Sequence, residues 1–381
     1  MQKVAVVGMG LNGMLSAIAI KKTGFEVDII EGKIPDFNLD KRTSVLTFET
    51  IKFLKNLEIY ESLKPHITPI FHIYSFEEHM KPVLNFDSGE VGENPFGFVI
   101  HNYILKEILF IKIQELKINI IEKTFEKIES NPNFINIFDV NYKLLISCAG
   151  RNDKLKSKEN IKTLFNLPYF QSAFVFNIKH EKPHNNIAVE SFNASGPLAI
   201  LPLQDSLESA VILTVKDDSA EFLKQTSDVN FLNIFKENCK RMRHIGEIEK
   251  ITSEIKSYEL SLVIAKTSIS DRIMFMGDSY NIIHPIAGQA FNMSVKDIKN
   301  LYLHLQKAFK LGLDIGSHTF LNEIYRKNIR HHVEMNLFTH ALVKIFSNNS
   351  LPLKIIRNMG VRFINEITPL KKFLMKKASG V

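Results

Sequence analysis

Gly8, Gly10 and Gly13 stand in G-x-G-x-x-G spacing close to the amino terminus. Pyrophosphate recognition calls for glycines at these intervals. One turns the chain tightly, one brings bare backbone against the phosphates, and one lets helix and strand pack closely. The flanks agree with that reading. Lys3-Val4-Ala5-Val6-Val7 is a β-prone run, Met14 to Lys22 reads as a helix, and Phe25 to Ile30 reads as a second strand closed by Glu31. The start of the helix would offer unpaired N–H groups to phosphate oxygens. Glu31 would accept hydrogen bonds from a ribose hydroxyl pair. The uncharged stretch from Val4 to Ile20, between Lys3 and Lys21-Lys22, also has the outline of a secretory signal. The interrupting glycines and the strand–turn–helix–strand order assign it to dinucleotide binding instead.

A second group of candidates lies far along the chain. Asp271 to Asp278 reads as a buried strand ending in the glycine–acid turn Gly277-Asp278. His284, next to Pro285, has the chemistry to exchange a proton with a reacting group, or to serve as a packing histidine. His331-His332, His340 and Glu334 fall on a helical stretch without the H-E-x-x-H pattern, so they are expected on a solvated face with no metal bound. Cys148 and Cys239 have no partner at metal-ligand spacing and cannot build a disulfide framework, which favours a reducing compartment.

The elements that must hold these residues come from 381 residues, enough for two domains. A hydrophobic fraction of 45% with 23% charged residues supplies a core, and excludes wholesale disorder and fibrous architectures. The net charge of +7 reads either as drift toward Lys, Ile, Asn and Phe or as attraction to an anionic surface. No finger, basic helix or aromatic-interleaved basic motif points to nucleic acid. Helical patterning is expected from about Val45 to Leu63, from Asn102 to Leu116, from Asp228 to Met242 and over most of the chain after Ser294. Strands are expected over Ile67 to Phe86, Ile118 to Ile146 and Ser172 to Val215. A nucleotide-binding sheet built from separated segments, with a β-rich domain inserted, accommodates this order.

The run Arg272 to Asn292, which contains Gly277-Asp278-Ser279-Tyr280-Asn281, His284-Pro285 and Gly288-Gln289-Ala290-Phe291-Asn292, resembles the second FAD signature of the flavin-dependent aromatic hydroxylases. Within that family the chain is most similar to the ubiquinone-biosynthesis (2-polyprenylphenol hydroxylase) type. Three further passages carry the likeness: Tyr169-x-Gln171-x-Ala173 with Gly196 to Leu203, Arg42-Thr43 with the segment after it, and Leu351 to Met375. The resemblance implies an α/β fold like that of para-hydroxybenzoate hydroxylase. A Rossmann-like FAD-binding domain would come from discontinuous segments (1–70, 96–165 and 262–320). A β-rich substrate domain (71–95 and 166–261) would be inserted into it, with carboxy-terminal helices over 321–381. It implies that Gly8, Gly10, Gly13 and Glu31 hold the ADP half of FAD, that Arg42 reaches the pyrophosphate or ribityl region, and that Asp278 binds a ribityl hydroxyl. The turn Pro285 to Gln289, with Gly288, would lie beside the isoalloxazine, and Asn292 in the helix that follows. Catalysis would fall to His284 and Pro285.

The implied reaction is hydroxylation of a polyprenylated phenol in ubiquinone biosynthesis by dioxygen, through a flavin C4a-hydroperoxide in a dry pocket. NAD(P)H or a ferredoxin-type protein would supply electrons. The implied location is the cytoplasm, with peripheral contact to the inner face of the membrane through Lys371-Lys372-Phe373-Leu374-Met375-Lys376-Lys377, and with other quinone-synthesis proteins as possible partners. Three departures motivate an alternative, a catalytically degenerate flavin-binding scaffold. Ala149 replaces the acid of an Asp-Gly pair, Tyr280 replaces a small residue, and Ala290 replaces the second glycine of G-Q-G.

Overall fold

The computed structural model describes residues 2–77, 84–90, 92, 94–124, 128–193, 196–239, 243–284 and 288–346. Ten elements carry the site. In chain order they are β1 (Lys3–Val7), α1 (Leu11–Lys22), β2 (Glu26–Glu31), β3 (Thr43–Thr47), β4 (Leu144–Ser147), β5 (Thr163–His180), β6 (Lys256–Ala265), β7 (Ile273–Phe275), α2 (Gln289–Leu311) and α3 (His318–Phe346).

A six-stranded sheet runs Ile269–Ser270, β7, β4, β1, β2, Asn119–Glu122, and only its first strand is antiparallel. Successive side chains of β1 alternate between two cores. Val4 and Val6 face the layer of α1 and α2, whereas Ala5 and Val7 face Ile135, Ile137 and Tyr142 of a small antiparallel sheet. Because β1 is covered on both sides, it is apolar throughout. Helix α1 is buried from Gly13 to Ile20, which explains why it is apolar all round rather than amphipathic. The chain leaves β1 in one direction toward β2 and returns on the other side as β4. The carboxyl ends of β1 and β4 therefore form a topological switch point, where open α/β sheets bind ligands.

A nine-stranded, largely antiparallel sheet is built around the 18-residue β5, which pairs with β6, Glu208–Lys216 and Ile248–Ile251. Its back is covered by the helix Asp228–Cys239, with Phe231 and Phe235 packed on Phe174 and Phe176. Its front, including Ala188, Ala210 and Ile212, meets Ile70, Phe96 and Val99 of a three-stranded sheet to which β3 belongs.

The expected helix from Val45 is corrected here. Thr43–Thr47 is a strand paired with Gly97–His101, and the helix begins only at Phe48, where Thr47 caps it by accepting from the Thr50 N–H at 3.4 Å. The carboxy-terminal passages, Leu351 to Met375 with Lys371 to Lys377, lie outside the described residues, as does Pro285. No helix among the described residues is long and apolar enough to cross a membrane.

Candidate active site

The glycine loop lies at the switch point. Gly8 has φ +98°, and a Cβ there would come 2.5 Å from the Cys148 carbonyl oxygen. At Gly13 a Cβ would fall 1.9 Å from the Gly8 carbonyl oxygen. Both glycines are thus demanded by the protein's own packing. Gly10 differs, because nothing lies within 4 Å of where its Cβ would be. It precedes α1 without a side-chain cap, so the helix presents its first N–H groups outward with no competing oxygen. Glu31 braces the loop. Its Oε2 accepts from the Met9 N–H at 2.8 Å and its Oε1 from the Gly32 N–H at 3.0 Å, which leaves acceptor capacity on both oxygens.

The second glycine bend meets the first. Gly277 has φ +62°, and a Cβ there would lie 2.1 Å from the Asn12 Nδ2 in the first turn of α1. Ser279 closes the junction with β4: its Oγ accepts from the Gly150 N–H at 3.0 Å. Two segments separated by some 265 residues in sequence therefore touch (Asn12 and Gly277). The Asn12 Oδ1 is buried there with no hydrogen-bond partner among the described residues. Asp278 follows Gly277 directly in the chain and is exposed. Water reaches it, yet the enclosing protein removes enough hydration to raise its pKa, against the opposing pull of Arg42, Arg151 and Lys156.

Arg42 is held rather than free. Its Nε and Nη2 donate to Asp40 at 2.7 and 2.8 Å, and its guanidinium lies 5.5 Å from the Tyr258 ring centre on β6. Lys106 donates to the same Asp40 at 2.7 Å, and the two cations hold the carboxyl well below the usual carboxylate range despite its burial. Asn292 is a staple. It donates to the Val45 carbonyl at 2.7 Å and the Gly288 carbonyl at 3.2 Å, and accepts from the Thr47 N–H and the Thr50 hydroxyl. These bonds fix the start of α2 against β3. Gly288, with φ +59° beside Val45, turns the chain into that helix, and Gln289 opens it.

Known proteins resemble this chain in sequence and in fold. The family model for squalene epoxidase matches residues 241–376. The chain is 26% identical over 390 residues to ubiquinone hydroxylase UbiL of Rhodospirillum rubrum, spanning 99% of this chain and 89% of that protein. It is 30% identical over 268 residues to the ubiquinone biosynthesis monooxygenase COQ6 of Mus musculus, 62% of this chain and 56% of that protein. The crystal structure of p-nitrophenol 4-monooxygenase PnpA from Pseudomonas putida DLL-E4 has the same fold, with a TM-score of 0.82 at 14% identity over 99% of this chain and 98% of that one. Over nearly its whole length the chain is similar to a ubiquinone hydroxylase, and its fold is that of flavin-dependent monooxygenases.

The chain has the para-hydroxybenzoate-hydroxylase-like fold of the FAD-dependent monooxygenases. Its residues fit the cofactor. An open flank at Gly10, an uncapped helix start, an acid at the end of β2 and a buried, unpartnered Asn12 Oδ1 are the features a dinucleotide would complete.

Tyr280 does not occupy the cleft. It is buried in the core beneath the sheet with Ile273 and Phe275, and its ring meets His332 edge-on at 5.0 Å. The solvated face expected for His331 and His332 is overturned, since both are buried against Asp297 of α2. Their Nε2 atoms lie 2.9 and 2.8 Å from its two carboxylate oxygens. These contacts hold the Asp297 carboxyl below its ordinary range although it is buried. His332 also contacts the Asn281 amide at 2.8 Å. The local pattern of α3 could not show this, because the partner lies on another helix.

His284 is 1% exposed, and neither ring nitrogen has a hydrogen-bond partner among the described residues. Burial pushes its pKa down to about 4, so the ring is neutral under ordinary conditions. Between the unperturbed 6.5 and about 4 the unfolded chain takes up a proton that the folded chain refuses, so stability falls as pH falls through that window. The loss attributable to His284 is on the order of 3 kcal/mol once both values are passed. Urea unfolding across this range should show a shallower acid decline for His284→Phe than for the parent hydroxylase.

Sequence reasoning assigned no role to Glu190. It lies two residues from Ala188 on the strand Ile187–Asn193, on the sheet's front face, and burial pushes its carboxyl up to about 7.

Proposed function

We propose that the hydroxylase adds a hydroxyl group to the aromatic ring of a polyprenylated phenol in ubiquinone biosynthesis. The observation that carries this reading is the contact between the bends at Gly8–Gly13 and Gly277–Ser279, which gives one elongated cofactor a grip at two points. The relatives named for ubiquinone chemistry supply the substrate class.

Gly8, Gly10, Gly13 and Glu31 hold the ADP half, Asp278 takes a ribityl hydroxyl, and Arg42 contributes positive charge near Asp278. Gly288 and Gln289 present the start of α2 to the ring system, with Asn292 keeping that start in place. Bound FAD supplies the activation of dioxygen, which side chains alone cannot perform. The protein's own contribution is to exclude water, to orient the ring and to hold a proton acceptor, the neutral His284, beside it. In this reading residues 1–70, 96–165 and 262–320 carry the cofactor, 71–95 and 166–261 the substrate, and the carboxy-terminal region begins at 321. The lipid tail of such a substrate favours a peripheral encounter with the membrane through Lys371 to Lys377.

The test is hydroxylation of short-chain prenylated phenols by FAD-loaded protein under dioxygen, together with the quinone content of a deletion strain. No product with any reductant, and normal quinone in the strain, removes the proposal. Ala149, in place of an acid beside the phosphate region, favours a ferredoxin-type protein over NAD(P)H as donor. Stopped-flow mixing with NADPH should accordingly give slow flavin bleaching, with a reduced ferredoxin giving a faster one.

A further inference from the structure

Strand β5 departs from regular pairing with β6 between Pro168 and Ser172, and Phe170 within that break adopts φ +54°. Such irregularities re-aim side chains and concentrate near functional sites. Here Tyr169 meets the His284 ring edge-on at 5.1 Å, and its centre lies 6.2 Å from the ring of His340 on α3. Leu262, Ile283 and Met293 form the apolar surround. Four polar atoms in this cluster are buried with no hydrogen-bond partner among the described residues: the Tyr169 Oη, both His284 nitrogens and the His340 Nδ1. Proteins rarely leave even one such group unpaired, because each costs its desolvation without compensation. A group of them facing one another, immediately before the turn into α2, is the signature of a ligand that completes them.

We propose that Tyr169, His284 and His340 form the polar end of the substrate pocket and bind the hydroxyl of a phenolic ring. The proposal rests on the monooxygenase reading and names the groups that recognise its substrate. Neutral His284 has one nitrogen to accept from a phenol O–H and one N–H to donate. Burial pushes the Tyr169 hydroxyl up to about 12, so it stays protonated and can donate to the oxygen on the bound ring. An apolar wall with this donor–acceptor set rejects a ring whose hydroxyl is missing, since the histidine acceptor then stays unpaired.

The experiment uses the FAD-loaded full chain and two probes, 2-prenylphenol and its O-methyl ether. Binding is read from the visible absorbance of the flavin. The parent protein should prefer the phenol by about three- to tenfold, the worth of one buried hydrogen bond. His284→Phe should abolish the preference, His284→Gln should largely restore it, and Tyr169→Phe should weaken both probes by a similar factor. Without ligand, His284→Phe and Tyr169→Phe should keep their FAD and melt no lower than the parent, because they remove unpaired groups. An unchanged preference in His284→Phe overturns the proposal, and so does loss of FAD affinity in place of phenol affinity. If the parent discriminates the probes but never oxidises them, the pocket stands and the monooxygenase reading falls.

Discussion

Gly13→Ala is expected to yield protein stripped of flavin. The added methyl would lie 1.9 Å from the Gly8 carbonyl oxygen, so the turn between β1 and α1 must open. Displacing that loop costs about 3 kcal/mol or more, equivalent to at least ~100-fold in FAD affinity. Flavin content after purification and a fluorescence titration with FAD measure it directly. The companion variant Gly10→Val separates cofactor binding from folding. Nothing in the protein approaches the Gly10 Cβ position, so its melting temperature without FAD should match the parent. Its FAD affinity should fall by on the order of tenfold, because the side chain occupies space reserved for the pyrophosphate. Equal FAD binding by parent and Gly10→Val would refute the assignment of the loop to the cofactor.

Arg272→Met should be the most destabilising single change away from the cofactor. Arg272 is 5% exposed and ties three segments together. It donates to the carbonyls of Pro132 and Lys143 and forms a two-pronged pair with Asp314, at 2.9 and 2.6 Å. Methionine fills much of the same space but leaves two carbonyls without their donor. The expected loss is about 3 kcal/mol in urea unfolding. The hydrogen bond from Arg272 also holds the Asp314 carboxyl below its usual range. That contribution is therefore present above the unfolded value of 3.8, fades as pH falls below it, and should vanish from the acid branch of the variant.

The parts of this molecule legible in its sequence are those whose cause is local. The glycine loop, the strand ending at Glu31 and the Gly277-Asp278 bend each declare themselves within a few residues, because turn geometry demands particular residue types at fixed offsets. Helix Asn102–Glu115 follows its apolar spacing in the same way. What stayed hidden depends on distant partners. Thr43–Thr47 merges in pattern with the helix after it, and only its pairing with Gly97–His101 makes it a strand. His331 and His332 look like a wetted face until Asp297 is brought to them by another helix. Tyr169 carried a faint signal, since apolar and polar residues cease to alternate around Pro168 to Gln171. Its meeting with His284 is a product of the fold alone.

The stapling of Asn292 to Val45 and Thr47 has a consequence for biosynthesis. A ribosome delivers the Gly8–Gly13 loop among its first residues, but the wall opposite it arrives only with residues 277–292. A nascent chain therefore lacks the cradle until residues 277–292 have been made. In the proposed reading, products truncated before that wall, even those retaining an intact amino-terminal fingerprint, are expected to emerge colourless.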